Sequence, residues 1–90
     1  MNNAEEATKI AREVKFATIG RAIADYTRNG DDVTRLVNEA ATLRHIEQEQ
    51  ANKTTRFAGL TRQVGDAVRS GAQLAPLLLQ LSELRTKEIG

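Results

Sequence analysis

The sequence predicts an all-α fold: a short N-terminal helix packed on a long antiparallel two-helix hairpin, a coiled-coil arm. Three observations predict it. Apolar residues recur at spacings of three and four, which places them along one face of a helix. Nowhere do β-branched and aromatic residues alternate at period two, as a half-buried strand requires. Aromatic residues make up only 3 % of the 90 residues, namely Phe16, Tyr26 and Phe57. Ala and Leu must then fill the core, which suits helix-on-helix packing. A chain this short forms one domain at most. It divides into an N-terminal helix over 1–30 and a helical hairpin over 31–90.

Each element has local signals. Asn3-Ala4-Glu5-Glu6 reads as a capping box that starts the first helix. Ile10, Val14 and Ala17, then Ile19, Ala22, Ile23 and Tyr26, form its broad apolar face. Gly30 can take the left-handed conformation that closes a helix. Asp31-Asp32 caps the next helix and complements its dipole. Val33, Leu36, Ala40 and Leu43 form a heptad seam. The seam turns polar at Glu47, Gln50 and Thr54 and resumes at Phe57, Leu60, Val64 and Ala67, so a continuous helix from Asp32 to about Val68 is expected. Gly59 and Gly65 should soften it, at about 1 kcal/mol each relative to Ala. Ser70-Gly71 breaks it, and Ser70 with Gln73 can cap a last helix with Pro76 near its start. Leu74, Leu77, Leu78, Leu81 and Leu84 then form a ladder that faces the 57–67 seam across a turn near residue 70. Phe57 is expected in that core, and the stretch from Gln50 to Pro76, where Leu thins and cations gather, at a projecting tip.

Composition excludes several classes. The absence of cysteine removes disulfides, thiolate zinc sites and cysteine nucleophiles. No apolar run approaches the ~20 residues that span a bilayer, and MNNAEEATK does not resemble a secretory leader. A cytoplasmic location is expected. His45, the sole histidine, stands four residues before Glu49, but two ligands do not make a zinc site. Thr54, Thr55 and Ser70 have no base beside them in the pattern. The glycines match no phosphate-loop motif. Neither catalysis nor a cofactor or metal is expected.

Net charge is +1, from 13 basic and 12 acidic residues, so any nucleic-acid binding must come from local charge placement. Arg44, Lys53, Arg56, Arg62 and Arg69 cluster where the apolar seam thins, and are candidate phosphate contacts. Alternatively they are helix-surface cations paired with Glu47, Glu49 and Asp66.

One family resemblance bears on this choice. Asn52-Lys53-Thr54-Thr55-Arg56-Phe57-Ala58-Gly59 resembles the Asn-x-x-Ser-Lys-x-Ile-Gly stretch of the N-terminal arm of seryl-tRNA synthetases. Arg28-Asn29-Gly30-Asp31-Asp32-Val33-Thr34-Arg35-Leu36 is similar to the start of that arm's first helix. Gly71, Leu74, Pro76 and Leu77 resemble the start of its returning helix. Thr55, Arg56 and Ala58 depart from the usual Ser, Lys and Ile, and the Gly59–Gly71 span is longer than the common version. Over roughly 19–89 the resemblance implies a non-catalytic tRNA-binding domain. Its arm would rest on the long variable arm of the tRNA, with basic side chains on phosphates. The rival expectation is a helical protein–protein interaction module (an adaptor, chaperone or inhibitor) or self-association. It would use Leu74, Leu77, Leu78, Leu81 and Leu84 as an intermolecular seam.

Overall fold

In a computed structural model, which describes residues 3–51 and 53–90, the described chain forms four helices: α1 (Asn3–Asn29), α2 (Thr34–Ile46), α3 (Arg56–Ser70) and α4 (Ala75–Ile89). No strand occurs among the described residues. The all-α class therefore holds.

The glycine stops act where the sequence places them. At the end of α1, Gly30 takes φ 77°, and the Asp31 N–H donates to the Tyr26 carbonyl at 2.8 Å. Gly71 repeats the device after α3, with φ 74° and a 2.9 Å bond from the Ala72 N–H to the Ala67 carbonyl. Asp32 opens α2: its carboxylate accepts from the Thr34 N–H at 2.9 Å and from the Thr34 hydroxyl at 2.6 Å. Pro76 lies in the first turn of α4, where its missing N–H costs nothing.

The expected continuous helix from Asp32 to Val68 is absent, because α2 ends at Ile46 and α3 begins at Arg56. Glu47 turns to extended backbone (φ −72°, ψ 116°) and donates its N–H to the Arg44 carbonyl at 3.3 Å. Thr55 caps α3, its hydroxyl accepting from the Ala58 N–H at 3.3 Å. The chain thus folds back on itself, placing Arg44 beside Asp66 and Glu47 beside Arg62, so that α2 and α3 pack antiparallel. Glu47, Gln50 and Thr54, expected as a polar interruption within one continuous helix, lie instead in the loop joining them. The N-terminal helix is the longest element, with 27 residues, rather than a short one.

The core is set by close backbone approach as much as by large side chains. Phe16, Ile23, Val64, Thr61 and Leu81 are its largest fully buried members. A Cβ added at Gly65 would stand 2.7 Å from the Ala40 carbonyl oxygen, and one at Gly20 would meet the Thr61 hydroxyl and, at 3.1 Å, the Phe57 carbonyl. Both glycines let α3 sit down on its neighbours. The buried face of α1 follows from this contact: Glu13, Phe16, Ala17, Gly20, Ile23 and Ala24 turn inward. Ile10 and Val14, expected on that face, are 60 % and 59 % exposed.

The α4 ladder is consumed by the chain's own core. Leu81 is fully buried, and Leu74, Leu77, Leu78 and Leu84 pack half-buried against it. The α3–α4 turn occurs at Gly71 as expected, but α4 lies chiefly against α1. Arg85 binds Asp25 at 2.9 Å, and Arg21 binds Glu88 at 2.9 Å, while the Arg21 guanidinium stacks over Phe57.

Candidate functional site

Arg62 stands at the centre of the polar architecture. It is 4 % exposed, with its guanidinium 4.5 Å from the centroid of the Phe16 ring. Its Nη2 donates to Glu13 Oε1 at 2.7 Å and to Glu47 Oε2 at 2.9 Å, and its Nε donates to Glu47 Oε1 at 3.0 Å. A buried guanidinium needs such compensation, since an unpaired ion in a low-dielectric interior is costly. Burial alone would lower its pKa, but the bonds to Glu47 and Glu13 outweigh burial and raise it. For Glu47, burial pushes the carboxyl up. Hydrogen bonds from Arg62 and then Arg44 overcome that and hold it below its usual range. Arg44 adds a 2.8 Å bond to Glu47 and a 2.9 Å bond to Asp66. From α1, Glu13 also accepts from the Thr55 N–H at 2.8 Å. These contacts join α1, the end of α2, the 47–55 loop and the start of α3.

The five candidate phosphate contacts therefore separate into two sets. Arg44 and Arg62 are committed to carboxylates, among them Glu47 and Asp66, two of the partners the sequence suggested. Lys53, Arg56 and Arg69 are exposed, and among the described residues they have no ion-pair partner. They do not form one stripe. Arg56 and Arg69, thirteen positions apart on α3, point about 140° apart around a helix of 3.6 residues per turn. Arg56 instead meets Lys87 of α4 across an open groove of about 380 Å³, with Gln63, Gln80 and Glu83 along it. Lys87 was not among the candidate cations because it lies on the Leu-rich last helix, outside the stretch where the apolar seam thins. Asn52, which begins the stretch resembling the synthetase arm, lies outside the described residues.

A second groove, of about 360 Å³, runs between α1 and α2. Ile19, Leu43 and Ile46 give it an apolar floor, and Lys15, Arg35 and Glu39 stand at its edge. Ile46 is 62 % exposed, although it is one of the larger apolar side chains. No local pattern signals this groove, because Ile46 falls outside the heptad seam and Ile19 belongs to another helix.

Among the described residues, no group of three or more His, Cys, Asp or Glu is placed to hold a metal ion. No described helix is long and apolar enough to cross a membrane. His45 and Ser70 are both exposed, and the Ser70 hydroxyl donates to the Ala67 carbonyl at 3.3 Å. Comparisons with protein-family models, with curated proteins and with solved structures find no match.

Proposed function

We propose that the chain is a non-catalytic helical binding module whose groove between α1 and α2 receives an amphipathic helix of a protein partner. The exposed Ile46 beside Ile19 and Leu43, rimmed by charge, carries this reading. An apolar floor with a polar edge is the usual form of a helix-receiving groove. Lys15 and Arg35 have no ion-pair partner among the described residues, so acidic residues flanking the apolar stripe of the ligand would complement the rim. The interaction surface thus moves from the α4 leucines to α1 and α2. Selection from a displayed library of acidic amphipathic helices tests it. Ligands that lose binding to Ile46→Asp and keep it with Arg56→Glu support the proposal. A library that yields no ligand, or ligands indifferent to Ile46→Asp, would overturn it.

The free cations Lys53, Arg56 and Lys87 favour a second reading, in which the chain contacts tRNA as a detached synthetase arm domain would. The partner would be a tRNA with a long variable arm, held through its phosphates, and Arg69 would touch a separate part of it. Gel shifts with serine tRNA and with a short-variable-arm tRNA, at low and moderate salt, address this. Preference for the long arm, weakened by salt and by Arg56→Ala with Lys87→Ala, is the expected result. Absence of binding in low salt would exclude it for this domain. A cytoplasmic setting is part of either proposal.

A further inference from the structure

The first part of the 47–55 loop is made of residues that do not need to be a loop. Glu47-Gln48-Glu49-Gln50-Ala51 are all good helix formers, and the whole loop contains neither Gly nor Pro. What keeps it out of a helix is tertiary. Glu47, its side chain 2 % exposed, is gripped by Arg62 and Arg44, with Arg12 3.8 Å away. The Glu49 carbonyl accepts from Arg12 at 2.7 Å, its carboxylate lies 3.4 Å from Lys9, and the Thr55 N–H is held by Glu13. Local preference and global contacts therefore disagree across this segment.

We infer that the loop is a hinge, and that its alternative state is a domain-swapped dimer of two copies of this chain. In that state α2, the loop and α3 of each copy straighten into one helix over 34–70, about 55 Å long. The α3–α4 half of one copy then docks on the α1–α2 half of the other. The partner surface is already built, since it is the closed interface itself: Gly65 against Ala40, Phe57 and Thr61 over Gly20, Leu81 in the core, and Arg62 on Glu13. Exchange of identical elements restores each of these between chains, which makes swapping a low-cost route to a dimer. The Glu47–Arg62 contact is different. Glu47 sits in the hinge, so its present bond depends on the loop conformation and belongs to the closed monomer.

That asymmetry supplies the test, which does not depend on either functional reading. Glu47→Ala removes a contact specific to the monomer. After warming and slow cooling at high concentration, it should double in mass from 9.9 kDa by light scattering. Its ellipticity at 222 nm should deepen in proportion to the loop residues turned helical. Gln48→Pro should keep the chain monomeric under the same treatment: Glu47 already has the extended backbone that a following proline requires, and a straight helix would not tolerate it. Should Glu47→Ala fail to fold, Thr54→Ala with Thr55→Ala weakens the α3 cap, leaves the ion pairs in place and gives the same readout. A folded hinge variant that stays monomeric at millimolar concentration overturns the inference. So does a dimer that persists unchanged with Gln48→Pro added.

Discussion

Removing the Arg62 side chain would leave two carboxylates, Glu13 and Glu47, facing each other in the interior with their shared cation gone. Breaking a buried ion pair in this way costs about 3–5 kcal/mol, so Arg62→Ala should lower urea-unfolding stability by that order. Arg62→Met combined with Glu13→Gln and Glu47→Gln should restore much of it, because no carboxylate is then buried without its cation, and Arg44 keeps Asp66. Equal losses in the single and triple variants would show that packing, not charge, is at stake. Hydrogen-bonded carboxylates also set the acid limit. Glu88, bonded by Arg21 and Arg85, is held down at about 2, and Glu47 lies below its usual range. Both are depressed in the folded state. The stabilisation from Glu88 is therefore complete above the ordinary Glu value of about 4.3 and is lost as pH falls toward about 2; that from Glu47 is likewise lost on acidification below the ordinary value. Thermal melts across that interval should show a falling midpoint, and Arg21→Ala should flatten part of the slope. The full set of partners of Arg62 was not legible in the sequence for a physical reason. Basic residues look alike until their partners are known, and Glu13 stands 49 positions from Arg62.

At the scale of elements, what was legible was local. Gly30 and Gly71 stop helices through their own backbone freedom, and Pro76 marks a helix start by its own chemistry. The break between α2 and α3 was illegible because Glu47 leaves the helix to satisfy residues on α1 and α3. Gly65 was misread in the same way. By propensity, Gly65→Ala should gain about 1 kcal/mol. Against that, the new methyl would stand 2.7 Å from the Ala40 carbonyl oxygen, backbone that cannot swing aside. Overpacking of that kind costs about 1–3 kcal/mol. We expect Gly65→Ala to be destabilising on balance, with faster amide exchange along α2 and α3. Gly59, where an added Cβ meets only a Thr54 methyl at 3.3 Å, should tolerate the same change far better. Thr55→Ala removes the α3 cap and should cost about 1 kcal/mol in the same unfolding assay.

For the whole molecule, the fold class was legible and the shape was not. The heptad pattern is common to a projecting arm and to helices folded back on a core. The extents of 43 × 32 × 17 Å and a radius of gyration of 13.0 Å belong to the second arrangement. A compact chain of this length is expected at about 12 Å. The proposed function rests on this shape, because it buries Arg62, consumes the α4 leucines and opens the α1–α2 groove. The most direct test is a distance between spin labels at Asn38→Cys and Arg69→Cys in the dilute monomer, two exposed positions in a chain without cysteine. With α2 and α3 packed side by side, axes about 8–10 Å apart, the labels should report a single short distance, well under about 25 Å. A dominant distance near 46 Å, the length of a straight helix at about 1.5 Å per residue, would contradict the account and restore the projecting arm.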